Sequence, residues 1–180
     1  MLNEKVVCAG FGGQGVMSMG KLLTYAGMIE DKQVSWLPSY GPEMRGGTAN
    51  CAVMVSDTLI GSPIIEKDAT TVIAMNLPSL IKFEEELVPG GKLFINSSLI
   101  ERKAQRDDIE VYYVPANEIA VSLGTGKAAN MVMLGAYLEV TKTVKSETVI
   151  EAFKKVFGPT KAHLVPLNEN ALLKGAEAVK

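Results

Sequence analysis

The chain has 180 residues, of which 47% are hydrophobic, and a formal net charge of −2. This length suits one sizeable core, and we predict that residues 1–180 form a single domain. The small charge, without a basic tract interleaved with aromatic residues, argues against nucleic-acid binding. No apolar run reaches the roughly 18 to 20 residues that a membrane span needs. The first residues lack the pattern of a signal peptide, so we expect a cytoplasmic protein.

Strand-like and helical patterns alternate along the chain. Apolar β-like runs predict strands at residues 5–9, 33–37, 50–56, 71–75, 92–96 and 110–114. Helical patterns fall at residues 14–28, 76–87, 117–123, 129–141, 146–157 and 168–179. This alternation predicts an α/β fold, a three-layer α/β/α domain with a mostly parallel central sheet. Ligands of such sheets bind beyond the carboxyl ends of the strands, so the loops there are the first place to look for a site.

A glycine-rich turn, GFGGQG at residues 10–15, follows the first predicted strand. Glycine permits positive φ and close approach of the backbone. The helix behind the turn offers free N–H groups and the positive end of its dipole to an anion such as phosphate. We therefore predict that Gly12, Gly13, Gln14 and Gly15 bind a phosphate-bearing ligand. A turn with a purely structural role is the other interpretation.

The same turn satisfies the dinucleotide pattern G-x-G-x-x-G, which is weak evidence by itself. The acid that binds the ribose of NAD is expected about 20 residues further on, at the end of the second strand. That strand ends SWLPS at residues 35–39, without an acid, and Glu30 and Asp31 precede it. An ordinary NAD site is therefore disfavoured, although an autonomous NAD(P)- or nucleotide-binding α/β protein stays open as an alternative.

The loop after the second predicted strand is a further candidate for ligand binding. It contains Tyr40, Glu43, Arg45, Gly46 and Gly47. Arg45 can make a planar, two-pronged contact to phosphate or carboxylate. Glu43 can accept a proton or pair with Arg45, and Tyr40 can stack on a ligand or a subunit. We include all five residues in the predicted cofactor-binding site, with a solvated surface turn as the other interpretation.

Two cysteines and one histidine limit the chemistry of the chain. Cys8 and Cys51 fall in apolar strand-like runs, so we predict buried, reduced thiols. An iron–sulfur cluster usually needs four thiolates, which the chain cannot supply alone. The single His163 argues against a histidine-rich metal site and against a Ser-His-Asp triad. We predict neither a metal site nor a catalytic residue in this chain.

Residues 128–140 contain more large apolar side chains than one helix face needs, among them Met131, Met133, Leu134 and Tyr137. Methionine adapts well to partner surfaces. One interpretation is that part of this segment meets another subunit or a second copy, together with Trp36, Tyr40 and Met44. The other interpretation is a core helix.

The motifs taken together resemble the gamma subunit of 2-oxoacid:ferredoxin oxidoreductases. The resemblance rests on GGQG at residues 12–15 and YGPEMRGG at residues 40–47. It continues through SP at 62–63, PGG at 89–91 and NMVMLGA at 130–136, and so covers nearly the whole chain. The combination is far more specific than any of these motifs alone.

Enzymes of this family decarboxylate a 2-oxoacid on thiamine diphosphate, pass electrons through iron–sulfur clusters to ferredoxin, and transfer the acyl group to coenzyme A. The resemblance implies that alpha and beta subunits hold the thiamine diphosphate and that a ferredoxin-like delta subunit belongs to the complex. It implies a non-redox chain that is inactive alone, supports assembly of the complex and binds coenzyme A. The apolar segment at residues 128–140 adds the expectation that the isolated chain can form a homodimer. Residues 49–57 look most like the 2-oxoglutarate branch, which favours 2-oxoglutarate over pyruvate and other 2-oxoacids.

Overall fold

The structure is a computed structural model that describes residues 1–39 and 48–180, with only the backbone of Thr48. Within these residues six strands form one sheet: β1 (Asn3–Phe11), β2 (Gln33–Ser39), β3 (Thr48–Ser56), β4 (Ala69–Ala74), β5 (Leu87–Asn96) and β6 (Glu110–Val114). Their spatial order is β2-β3-β1-β4-β5-β6. All except β3 run in the same direction, because β3 is antiparallel to both of its neighbours. The predicted mostly parallel sheet is confirmed.

Helices cover both faces of the sheet, as the α/β prediction requires. They are α1 (Val16–Ile29), α2 (Leu77–Phe83), α3 (Ala116–Ser122), α4 (Ala129–Thr141), α5 (Ser146–Phe157) and α6 (Val165–Glu177). One face carries α1 and α4, with α5 packed on α1 and α6 on α4, whereas α2 packs on the other face. Among the described residues, the structure contains no helix of the length and hydropathy needed to cross a membrane.

The two faces bury alternate residues of the strands, as the period of two in a β-strand requires. In β1, Val6 and Cys8 belong to the hydrophobic cluster under α1 and α4. Val7 and Ala9 belong to the smaller cluster under α2. The apolar run that predicted the first strand is therefore continuous because the strand is buried on both sides.

Two predicted boundaries are wrong for physical reasons. The first helix begins at Val16 rather than at residue 14, since Gly15 caps it with φ 77°. The second predicted helix ends at Phe83, and Leu87 already pairs with β4. The PGG sequence at residues 89–91 lies inside β5, where the register against β4 shifts, and does not end a helix.

Helix α4 is a core helix, so the interpretation that part of residues 128–140 meets another subunit is not supported. Met131, Met133, Leu134 and Tyr137 are each at most 2% exposed. Helix α6 covers α4 at close range: a Cβ atom added at Gly135 would overlap the carbonyl oxygen of Leu172. The large apolar side chains thus fill the space between the sheet and α6. Tyr40 and Met44, which the same interpretation included, lie outside the described residues.

Candidate phosphate-binding site

The carboxyl ends of β1 and β2 lie at the same edge of the sheet, as predicted for the two candidate loops. Ser39, the last residue of β2, pairs with Asn50, which in turn pairs with Ala9 of β1. The glycine turn leaves β1 at this edge and leads into α1. The sequence did not predict the order of the strands. β3 lies between β1 and β2, so the ends of these two strands are not adjacent.

The structure requires glycine at three positions of the turn, for different reasons. Gly13 has φ 89° and Gly15 has φ 77°, both in the left-handed region that favours glycine. Gly10 is needed for close packing, since a Cβ atom there would lie 2.7 Å from Gln14 Oε1 and 2.8 Å from Met75 Cβ. At Gly12 neither the backbone angle nor a neighbouring atom requires glycine.

The side chain of Gln14 braces the turn. Its Oε1 accepts a hydrogen bond from the Phe11 N–H at 2.7 Å, and its Nε2 donates to the Met75 carbonyl at 3.2 Å. Its backbone N–H, which we expected to bind phosphate, donates to the Phe11 carbonyl at 3.2 Å. The expected backbone contact from Gln14 is thus already used within the turn, and the side chain fixes the turn against the end of β4.

Helix α1 presents free donors beside the turn. Its first backbone bond runs from the Met19 N–H to the Gly15 carbonyl at 2.9 Å, so the N–H groups of residues 16–18 have no acceptor within the described part of the chain. No acidic residue lies in the first turn of the helix. These donors border a groove of about 420 Å³ that includes Phe11, Gly12, Gly13 and Gly15. Uncapped N–H groups and an uncompensated helix dipole favour an anion there.

A second helix brings its N-terminus to the same turn. Asn130, in the first turn of α4, donates from Nδ2 to the Gly15 carbonyl at 3.2 Å. A Cβ atom on Gly15 would lie 2.5 Å from that Nδ2, so the two elements touch. The first turn of α4 also lacks acidic residues. Two positive helix ends therefore meet at Gly15, and sequence reasoning had placed Asn130 in a family motif without giving it a role.

A smaller cavity of about 160 Å³ adjoins the turn at Gly13 and Gln14. Its other walls are Met75, Asn117, Gly126, Lys127 and Ala129. Sequence reasoning named none of these as site residues. They come from three separate segments of the chain, and no local pattern indicates that they converge.

The residues that could bind an NAD ribose do not lie beside the turn. The end of β2 is two strands away from β1 in the sheet. Glu30 follows α1 at the opposite edge, where its carboxylate accepts a hydrogen bond from the Lys145 N–H at 2.7 Å. This arrangement disfavours the ordinary NAD interpretation further.

The cysteines face each other in the core. Cys8 and Cys51 are directly opposite in the β1–β3 register, and both are free and fully buried. The interaction with Cys51 and burial raise the pKa of the Cys8 thiol well above its ordinary value. Within residues 1–39 and 48–180, no three His, Cys, Asp or Glu side chains gather where they could hold a metal ion.

The predicted site residues of the second loop lie outside the described residues; they are Tyr40, Glu43, Arg45, Gly46 and Gly47. The residues on either side of them, Ser39 and Thr48, belong to β2 and β3 at the edge that carries the glycine turn. Backbone pairing places Thr48 opposite Phe11.

The fold is that of an α/β protein whose glycine turn and uncapped helix N-terminus lie at the carboxyl end of β1. The chain belongs to the pyruvate ferredoxin/flavodoxin oxidoreductase (POR) family, whose pattern it matches over residues 5–178. The resemblance inferred from the motifs is confirmed.

Relatives of known role include subunits of two enzymes. The chain is 39% identical over 174 residues to the ketoisovalerate oxidoreductase subunit VorA of Methanothermobacter thermautotrophicus, which covers 96% of this chain and 36% of VorA. It is 32% identical over 165 residues to the 2-oxoglutarate synthase subunit KorC of Methanothermobacter marburgensis, covering 88% of each chain. The chain thus spans about a third of VorA and most of KorC.

Two solved structures share the fold. The gamma subunit of keto/oxoacid ferredoxin oxidoreductase from Geobacter sulfurreducens superposes with a TM-score of 0.83 at 28% identity, over 98% of both chains. The 2-oxoglutarate:ferredoxin oxidoreductase of Magnetococcus marinus, with 2-oxoglutarate, coenzyme A and succinyl-CoA bound, gives a TM-score of 0.89. It covers 99% of this chain and 31% of that one at 21% identity, so it shows the fold alone.

Proposed function

We propose that this chain is the gamma-type subunit of a multisubunit 2-oxoacid:ferredoxin oxidoreductase and that its glycine turn binds coenzyme A. The observation that carries the coenzyme A assignment is the meeting of two helix N-termini at Gly15, neither with an acidic residue in its first turn. Such a place favours a multiply charged anion. In the reaction proposed for the complex, coenzyme A is the phosphate-bearing substrate.

The groove beside the turn supplies the contacts that this proposal needs. The free N–H groups of residues 16–18 can donate to a phosphate, and the left-handed backbone at Gly13 lets the ligand approach closely. Phe11 is 41% exposed at the groove and offers an aromatic surface for a nucleobase. The chain therefore binds and orients coenzyme A in this proposal, and thiamine diphosphate and iron–sulfur clusters belong to the alpha, beta and delta subunits.

We assign the choice of 2-oxoacid to the alpha, beta and delta subunits. Residues 49–57, which favoured 2-oxoglutarate, overlap β3 in the interior of the sheet. Cys51, Val53 and Val55 are fully buried there, so they cannot touch a substrate. The relatives of this chain are named for different 2-oxoacids, VorA for ketoisovalerate and KorC for 2-oxoglutarate. This difference supports a substrate choice made outside this chain. We keep 2-oxoglutarate as the substrate to test first.

Co-purification from native extract tests the assembly. We expect subunits with thiamine diphosphate and iron–sulfur clusters to accompany the tagged chain. A catalytically active single chain that reduces or oxidises NAD(P) would instead support the alternative of an autonomous nucleotide-binding protein.

The affinity for coenzyme A in the reconstituted complex, with saturating 2-oxoacid, tests the site. Arg45→Ala should weaken it by about ten- to a hundredfold, because a charge-assisted contact contributes roughly 1.5 to 3 kcal/mol and ~1.4 kcal/mol is tenfold. Lys154→Ala on α5 is the matched control and should leave the affinity unchanged. If Arg45→Ala keeps the affinity but dissociates the complex, its loop serves assembly. If neither property changes, both roles proposed for Arg45 are wrong.

A further inference from the structure

We propose that the cavity between Asn117 and Lys127 is a second anion subsite that takes a phosphate monoester. It lies beside the groove already described and shares Gly13 with it. The inference rests on the proposed function for the identity of the nucleotide that carries this phosphate. The subsite itself rests on its own side chains.

The position of the cavity in the sheet suits a ligand. β1 leads into α1 on one face, while the adjacent β4 leads into α2 on the other. A crevice opens where the connections of two neighbouring parallel strands diverge, and ligands of α/β sheets bind there. Gly13 and Gln14 follow β1 and Met75 follows β4, so the cavity occupies this crevice.

Asn117 lines the cavity, and one end of its amide is held by a buried neighbour. Its Oδ1 accepts a hydrogen bond at 2.8 Å from Nδ2 of Asn96, a fully buried residue at the end of β5. The same Nδ2 lies 3.4 Å from the Met75 carbonyl, which fixes the orientation of the Asn96 amide. Because the oxygen of Asn117 is engaged, its Nδ2 is the polar atom left for a ligand, and within the described residues that Nδ2 has no acceptor. A donor of this kind suits an anion.

Lys127 supplies the charge. The short helical turn Gly126–Ala128 holds it, with the Lys127 N–H donating to Thr125 Oγ1 at 3.2 Å. The contact between Asn130 and Gly15 ties this segment to the glycine turn. Among residues 1–39 and 48–180, no acidic side chain lines the cavity and no carboxylate lies within ion-pair distance of Lys127. The positive end of α4 adds to the same potential.

Size and charge select the ligand class. The cavity, about 160 Å³, has less than half the volume of the groove of about 420 Å³, so it suits a compact group and not a nucleoside. An ammonium with donors and no competing carboxylate suits a dianionic phosphate. Because Gly13 borders both spaces, one nucleotide with two separate phosphates can reach both. The 3′-phosphate of coenzyme A is one source of the group, and free inorganic phosphate is the other.

A phosphate titration of the ¹⁵N-labelled full chain tests the subsite without coenzyme A. Inorganic phosphate up to about 10 mM, a range for weak anion sites, should shift the side-chain NH₂ signals of Asn117 and the amide signal of Lys127. Lys127→Met should abolish the shift of the Asn117 NH₂ signals, and Asn117→Asp should abolish the shift of the Lys127 amide signal. Asn117→Asp keeps the oxygen that Asn96 contacts, so it tests charge without removing that bond. Lys154→Met on the exposed side of α5 is the control and should change nothing.

Calorimetry with coenzyme A and dephospho-coenzyme A separates the two sources. Lys127→Met should weaken coenzyme A about tenfold and leave dephospho-coenzyme A unchanged. If phosphate shifts the signals but Lys127→Met leaves the affinity for both nucleotides unchanged, the subsite stands and its ligand is free phosphate. If coenzyme A does not bind the wild type but phosphate does, the proposed function of the groove fails and the subsite stands. If phosphate leaves the signals of Asn117 and Lys127 in place, the subsite is refuted.

Discussion

Three glycines of the turn should respond differently to alanine, because each has a different surrounding. Gly12 has open space for a Cβ atom and no positive φ, so Gly12→Ala should change the free energy of unfolding by less than about 0.5 kcal/mol. Gly13 also has open space, but its φ of 89° is left-handed. Holding alanine there costs about 1–2 kcal/mol.

Gly15→Ala adds a collision to the backbone cost. Its φ is 77°, and the new Cβ would lie 2.5 Å from Asn130 Nδ2 and 2.8 Å from Asn130 Cγ. Asn130 must then move and lose its hydrogen bond to the Gly15 carbonyl, which contributes about 0.5–1.5 kcal/mol. The sum is about 1.5–3.5 kcal/mol. For a chain of this length, with 2–4 °C for each kcal/mol, Tm should fall by roughly 3–14 °C.

Thermal and urea unfolding of the three variants measure this series. The order of stability should be Gly12→Ala, then Gly13→Ala, then Gly15→Ala. In the double variant with Asn130→Ala the collision is relieved, so the combined loss should be smaller than the sum of the single losses. Equal stability of Gly12→Ala and Gly15→Ala, or strict additivity with Asn130→Ala, would refute the geometry argued for the turn.

Burial raises the pKa of Glu4 although Thr71 and Tyr137 donate hydrogen bonds to its carboxylate. The folded state therefore holds the proton more tightly, and stability falls as the pH rises above the ordinary value of 4.5. Glu4→Gln should raise Tm at about pH 8 and have less effect near pH 4; the same effect at both would contradict this. Gly135→Ala should destabilise by about 2 kcal/mol in urea unfolding, since overlap with the Leu172 carbonyl outweighs a helix-propensity gain of about 1 kcal/mol; an unchanged midpoint would contradict it. The isolated chain, with two cysteines, should be colourless and should not reduce a viologen dye with any 2-oxoacid, and dye reduction would disprove this.

Local patterns in the sequence were sufficient for much of the fold. The apolar run before the turn predicted β1, and the spacing of apolar residues after it predicted α1 to within two residues at its start. The glycines of the turn indicated a backbone with positive φ, and the angles at Gly13 and Gly15 are positive. These features depend on neighbours within a few residues, so periodicity and turn chemistry reveal them.

Contacts between distant segments decided the rest. Sequence patterns could not show that β3 inserts antiparallel between β1 and β2, because an apolar strand pairs equally well with several others. They could not show that α6 buries α4, since the two meet only in the folded chain. Sequence patterns also gave no reason to single out Asn117, Lys127 or Asn130, because no motif of a binding site surrounds them. These residues come close to the glycine turn only in the folded chain, where the ends of β1, β4 and β5 lie at one edge of the sheet.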